Sequence, residues 1–220
     1  MGQEIDLMRF YPKPKNRLSE RPLITEADRE ISRRFDAEYF DGDRRYGYGG
    51  FTYNPRFWTD TVNLFVQHYG LSENAAILDV GCGKGFMLKD FQTRLPQARL
   101  AGVDISSYAI ENAHPDVQSL VQLADARRLP FKDDSFDLVL SINTLHNLQY
   151  EECVEAFREV QRVSRRHAFV MVDGWKNAKE REELESWVLT AYTMLSAEAW
   201  RDLMASAQYT GDYEFWSPGA

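Results

Sequence analysis

The residues of this chain that could do chemistry gather where apolar runs end. Residues 77–85 read Ile-Leu-Asp-Val-Gly-Cys-Gly-Lys-Gly, an apolar strand entering a turn with glycine at Gly81, Gly83 and Gly85. Glycine has no Cβ and reaches positive φ, so such a turn lets a ligand approach the backbone closely. Phe86 to Phe91 has helical apolar spacing, and strand, glycine turn and helix together form the usual cradle for a nucleotide-like ligand. The spacing narrows the ligand. A dinucleotide cradle has two residues between its second and third glycines, and this turn has one. Asp79 also precedes Gly81 by two positions, where a carboxylate repels a pyrophosphate but accepts hydrogen bonds from an ammonium. The Gly-Lys-Ser/Thr of a P-loop is missing.

Two more acids end apolar runs. Residues 100–105 read Leu-Ala-Gly-Val-Asp-Ile and place Asp104 at a strand end, where a carboxylate can accept both hydroxyls of a ribose. Residues 121–126 read Val-Gln-Leu-Ala-Asp-Ala and place Asp125 at the next one. Each acid alone reads more often as a helix N-cap than as a ligand contact, but three such signals in this order point to one ligand.

The run Leu-Asp-Val-Gly-Cys-Gly-Lys-Gly resembles motif I of the class I S-adenosylmethionine (SAM) methyltransferases. Asp104, Asp125 and Ser135-Phe136-Asp137-Leu138-Val139-Leu140-Ser141 resemble the strands that follow it in that family, so the resemblance covers about residues 60–172. It implies SAM as cofactor and S-adenosylhomocysteine as product. It also implies that Asp125 meets the adenine amino group while Ala126 offers a backbone N–H. The expected cofactor contacts are Asp79, Gly81, Cys82, Gly83, Asp104, Ile105, Asp125, Ala126 and Asn143, with Tyr46 and Arg45 from a lid. Cys82 reads as a small residue suited to a tight turn.

Methyl transfer from a sulfonium asks mainly for alignment and exclusion of water, and a base is needed only if the acceptor must lose a proton. After the fourth strand stands Ser-Ile-Asn-Thr-Leu-His-Asn, residues 141–147. The Asn/Asp-Pro-Pro-Tyr/Phe of enzymes that methylate base amino groups is absent there. His146 is the expected catalytic residue, as general base or as an acceptor-orienting group, because imidazole titrates near neutrality. Its alternative is a histidine packed over the adenine or capping a helix.

Residues 44–58 hold rings and glycines in a pattern no regular helix accommodates. They read as a lid hinged at Gly47, Gly49 and Gly50, or as a plug of the core. Arg44 or Arg45 would meet the methionyl carboxylate or an acidic acceptor. Tyr48, Tyr53, Asp173 and Trp175 are the expected acceptor contacts. The stretch 39–50 resembles bacterial small-molecule methyltransferases, some in surface-sugar pathways, so a sugar hydroxyl is the favoured acceptor. The alternatives are a catalytically silent SAM-binding or protein-interaction module and an aminopropyl-type transferase. The latter would want more acids than Asp173 and Asp212 supply.

The elements that must position these residues follow from periodicity. Strands are expected at about 76–80, 99–103, 119–123, 136–141, 167–172 and 209–216. Helices are expected at about 25–40, 55–69, 85–94, 107–113, 150–165, 180–193 and 197–206, with Thr25, Ser106 and Ser196 as caps. Alternation of strand and helix predicts an α/β fold: a doubly wound, mostly parallel sheet, Rossmann-like, with an N-terminal helical and aromatic-loop lid. Residues 1–58 read as arm and lid, with 1–24 extended and unpacked, and 59–220 as the SAM-binding domain of one folding unit. The resembled family usually ends on a seventh, antiparallel strand, and none is evident. Right-handed crossovers put Asp79, Asp104, Asp125, Asn143 and Asp173 along one rim.

Composition sets the class. A chain of 220 residues with 44% hydrophobic residues buries a core without staples. A net charge of −8 without a Lys/Arg run argues against nucleic acid as partner. A small-molecule acceptor is expected instead, and the proline-bearing arm suits a homodimer. Two cysteines, Cys82 and Cys153, form no metal-ligand pair and read as thiols of a reducing cytoplasm. No apolar run reaches a membrane span, and no signal peptide is evident.

Overall fold

The computed structural model describes residues 2–12, 23–49 and 52–218. Gly50 of the aromatic loop and Pro14 and Pro22 of the arm lie outside the described residues.

The core is a seven-stranded sheet: β1 (Ala76–Val80), β2 (Arg99–Asp104), β3 (Val121–Leu123), β4 (Phe136–Ile142), β5 (Ser164–Trp175), β6 (Leu195–Ser196) and β7 (Asp212–Trp216). The order is β3-β2-β1-β4-β5, with β6 and β7 both pairing to β5, and every pairing is parallel. This is the doubly wound Rossmann-like arrangement. Strands covered on both faces must be apolar on both faces. Along β5, Ala168, Val170 and Val172 face one cluster, and Phe169 and Met171 the other. In β4 a register shift between Phe136 and Leu138 breaks the alternation, so Phe136 and Val139 share the first face while Leu138 and Leu140 take the second.

One face is covered by α6 (Tyr150–Val163) and α8 (Ala197–Ser206). On α6, Cys153, Ala156, Phe157, Val160 and Val163 repeat at three- and four-residue steps, the stripe that packs a helix on a sheet. The other face is covered by α3 (Thr59–Tyr69) and α4 (Phe86–Arg94), through Phe65 and Phe91. The remaining helices are α1 (Glu26–Ser32), α2 (Ala37–Asp41), α5 (Ser107–Glu111) and α7 (Ala178–Trp187). Thr25, Ser106 and Ser196 cap as expected.

Four expectations are corrected. The helix foreseen at 25–40 is two: Phe35 sits at φ +50° and Asp36 caps α2. The helix foreseen at 180–193 ends at Trp187, because tertiary bonds claim the backbone beyond it. The Tyr48 hydroxyl accepts from Leu189 N–H, and the His146 carbonyl accepts from Tyr192 and Thr193 N–H. A seventh strand exists, but it is the two-residue β6, and β7 runs parallel. Lastly, the start of the chain is packed. Glu4 bridges Tyr213, Glu214 accepts from the N–H groups of Leu7 and Met8, and both side chains are buried. An open strand edge offers unpaired backbone groups, and this segment covers β7.

Leu7 is 1% exposed. Replacing Leu7 by Ala should therefore cost about 2–4 kcal/mol in urea unfolding. A loss under about 0.5 kcal/mol would mean the segment is not part of the fold.

Candidate functional site

The C-terminal ends of β1, β4 and β5 open into a cavity of about 860 Å³. Its floor is the glycine turn. Gly81, at φ +82°, and Cys82 both donate N–H to the Val103 carbonyl, at 2.8 and 3.0 Å. A Cβ on Gly81 would stand 2.0 Å from the Thr144 hydroxyl, so only glycine fits. Gly83 N–H donates to Asp104 Oδ2 at 2.7 Å, and Asp104 Oδ1 accepts from Ser106 N–H at 2.9 Å. The turn is thus fastened to the end of β2 at three points.

Asp79 lines the cavity behind this turn and is 3% exposed. Its carboxylate has no hydrogen-bond or ion-pair partner among the described residues. Burial, and secondarily the neighbouring Asp104, push its pKa up to about 8. Opposite it on β5, Asp173 is equally buried, and burial pushes its pKa up to about 8 as well. Its backbone is locked from two sides: Asp173 N–H donates to His146 Nδ1 at 2.9 Å, and its carbonyl accepts from Trp200 Nε1 at 2.8 Å.

That bond fixes the state of His146. Nδ1 is the acceptor, so the ring proton is on Nε2, 3.8 Å from Asp173 Oδ2. Burial lowers the imidazole pKa to about 3. At neutral pH His146 is a neutral ring whose one lone pair is occupied. It can donate to a ligand but has no site to take a proton, which counts against the general-base role and leaves the orienting one.

The segment from Phe35 to Gly49 is docked on the turn. Lys84 Nζ lies 2.5 Å from Asp41 of α2, whose other contact is the Tyr108 hydroxyl at 2.8 Å. Phe40 stands over Gly83, and the Ser106 hydroxyl donates to the Phe35 carbonyl between α1 and α2. Tyr39, Tyr48 and Trp187 continue the wall, with the Tyr48 and Trp187 rings stacked at 5.9 Å. The lid glycine Gly49 lines the cavity beside Arg44, and Arg44 donates to the Tyr48 carbonyl at 3.2 Å.

Of the expected residues, Asp79, Gly81, Cys82, Gly83, Asn143, His146, Tyr48 and Asp173 line this one cavity. Asn143 holds φ +52°, a left-handed position uncommon for a side chain other than glycine and frequent at functional sites. The others stand outside its walls. Asp104 and exposed Ile105 are at the end of β2, beyond the turn. Asp125, next to Ala126, is held by Arg127, which also bonds Glu152 and keeps the Asp125 carboxyl below its ordinary range. Arg45 is bound to Asp28 at 2.6 and 3.0 Å, so Arg44 rather than Arg45 faces the cavity; Tyr46 is in the turn that makes this pairing. Tyr53 packs on Phe86 and His114, and Trp175 lies under Arg181.

Sequence reasoning missed Met8, Tyr11, Arg56, Trp58 and Trp216, which also line the cavity. Met8 and Tyr11 arrive with the packed N-terminal segment, and no local pattern signals that. Trp58 stands just before α3 and Trp216 ends β7, where an aromatic reads as ordinary core.

Comparison with known proteins agrees with this geometry. Residues 78–172 match the family model of the methyltransferase domain. A tRNA (carboxymethyluridine(34)-5-O)-methyltransferase of Arabidopsis thaliana is 34% identical over 129 residues, 58% of this chain and 30% of its own length. A malonyl-[acyl-carrier protein] O-methyltransferase of Geobacter sulfurreducens is 38% identical over 95 residues, 41% of this chain and 35% of its own length. The crystal structure of YcgJ from Bacillus subtilis superposes with a TM-score of 0.54 at 22% identity, over 67% of both chains, a likeness of fold. The chain spans about a third of the length of these curated relatives. Residues 78–172 are thus similar to a methyltransferase domain, and this match together with the Rossmann-like fold implies SAM as the methyl donor.

The residues present fit that cofactor. A buried carboxylate without a protein partner suits an ammonium, and a turn with φ +52° at Gly83 leaves room for a ligand beneath Phe40. The same carboxylate destabilises the empty protein. A carboxyl with a raised folded-state pKa binds more protons folded than unfolded between the ordinary value of 3.8 and about 8. Stability is therefore fully present below that window and lost as pH rises through it. Asp79→Asn should melt several degrees above the wild type at pH 8.5, with the gap closing toward pH 5. A lower melting temperature for the variant at pH 8.5 would contradict the burial argument.

Proposed function

We propose that the protein transfers the methyl group of SAM to an oxygen or nitrogen of a small molecule. The observation that carries this reading is the pairing, in one cavity, of Asp79 behind the glycine turn with an aromatic wall built by the lid, Trp58, Trp187 and Trp216. Asp79 would hold the methionyl ammonium, and Arg44, which makes no ion pair among the described residues, its carboxylate. Asp104 and Ile105 would receive the ribose, with Asp125 and the Ala126 N–H at the adenine. SAM, once bound, supplies an activated methyl; the chain aligns the acceptor and excludes water.

A walled cavity with three tryptophans suits a ring-bearing acceptor, and aromatic faces pack well on a sugar ring. A sugar hydroxyl is the first class to screen. The −8 net charge favours a small molecule over tRNA as acceptor. Two buried acids lining the cavity are few for a polyamine, which speaks against aminopropyl transfer. An intact set of Asp79, Gly81, Gly83 and Asp104 speaks against a silent module.

Calorimetry should show binding of both SAM and S-adenosylhomocysteine. Asp104→Ala should weaken SAM binding about 10- to 100-fold, the worth of charge-assisted hydrogen bonds. Unchanged affinity in that variant would remove Asp104 from the cofactor site. A labelled-SAM assay against sugars, phenols and bulk tRNA then separates the acceptor classes. Label in tRNA alone would overturn the small-molecule reading.

A further inference from the structure

We propose that Asp173 is the group that takes the proton from the acceptor hydroxyl. The inference rests on the methyl-transfer reading above and names the residue that completes it.

The carboxylate of Asp173 lines the cavity, is 4% exposed as a residue, and accepts no hydrogen bond from the described residues. Buried polar groups without partners are rare in folded proteins, and one aimed into a cavity is a site for a ligand's hydrogen-bond donor. Its position is fixed rather than adaptable, since both its N–H and its carbonyl are bonded, to His146 and Trp200. The strand-end placement matters as well. Asp173 and Asp79 stand on β5 and β1, with β4 between them. If Asp79 holds the ammonium end of the cofactor, Asp173 is the buried carboxylate left for the second ligand. His146 is the nearest titratable group and cannot compete for the proton, because its Nδ1 lone pair receives the Asp173 N–H.

In the step itself the acceptor oxygen bonds to the methyl carbon as the carbon–sulfur bond breaks. The electron pair of that bond goes to sulfur, and the hydroxyl proton goes to an Asp173 carboxylate oxygen. Charge balances: one positive sulfur and one carboxylate become neutral thioether and carboxylic acid. No further reactant is needed.

Burial alone sets the shift of this carboxyl, and the ionisable groups around it are neutral, engaged elsewhere or on other walls of the cavity. His146 faces it from the loop after β4 and is neutral. Glu214 on the adjacent β7 is engaged by the Leu7 and Met8 N–H groups. Across the cavity are Asp79, Lys84, Arg44 and Arg56. With burial dominant, the Asp173 pKa of about 8 makes the basic form scarce below neutrality. Transfer should then rise about tenfold per pH unit up to about 8 and level off above it.

The test has two arms. In the first, labelled SAM is offered with a pooled library of sugars and phenols to wild type and Asp173→Asn. The proposal expects SAM affinity within about threefold of wild type, transfer reduced at least about 100-fold, and loss of the rising pH limb. Transfer by the variant within about threefold of wild type, or a wild-type rate flat from pH 6 to 9, overturns it. If wild type binds SAM but labels nothing in the pool, sugar and phenol hydroxyls are struck as the acceptor of the reading above, and the second arm still decides this residue. There, carboxyl-carbon NMR of the protein saturated with S-adenosylhomocysteine is followed against pH, with the Asp173 signal assigned by its loss in Asp173→Asn. A midpoint near 8 supports a proton-accepting carboxylate, and a midpoint below 5 overturns it.

Discussion

The structure depends on a cost that its own residues leave unmet: two carboxylates, Asp79 and Asp173, are buried at strand ends without a cation. Each sits at a raised pKa of about 8 because taking a charge from water into the protein interior is expensive unless it is paired. Other acids among the described residues are paired or bonded: Asp28 with Arg45, Asp41 with Lys84, Asp125 with Arg127, and buried Asp90 through one oxygen with the Thr59 hydroxyl. The exceptions converge on one cavity. A ligand ammonium would supply the charge missing beside Asp79, and an acceptor hydroxyl the donor missing beside Asp173, which is why the cofactor argument rests on Asp79 more than on the glycines alone.

The glycine turn and the lid are the frame for those acids. Three backbone bonds fasten the turn to β2, and Gly81 is held where any Cβ would strike Thr144. Lys84, in the same turn, carries α2 through Asp41. The aromatic loop therefore reaches the cofactor turn by a charged anchor, while its tyrosines build the wall where the acceptor would lie. In this loop Tyr48 packs on Trp187 and also lines the cavity.

Local pattern carried most of the fold. The five central strands, α6 and the three caps follow from alternation, a helical stripe and hydroxyls ahead of apolar runs. What escaped is what tertiary contacts decide. The helix after β5 stops at Trp187 because His146 and Tyr48 bond the backbone beyond it. Residues 1–24 read as a proline-bearing arm, yet a sheet edge needing cover draws Leu7 and Met8 inside. In the site, Asp79, the glycines, Asn143, His146 and Asp173 were legible as strand-end residues. The protonation state of His146 was not, because it depends on a backbone N–H 27 positions away. Nor was the competition between Arg44 and Arg45, which an ion pair with α1 decides.

The most direct measurement is the proton count on SAM binding, obtained by calorimetry at pH 6.5, where the ligand's own amino group is already an ammonium, in buffers of different ionisation enthalpy. A cation placed beside Asp79 must pull its pKa down, so binding should release about half a proton or more, and Asp79→Asn should abolish most of that release. Binding without any proton release, or with uptake, would contradict the claim that a buried carboxylate awaits the cofactor's positive charge.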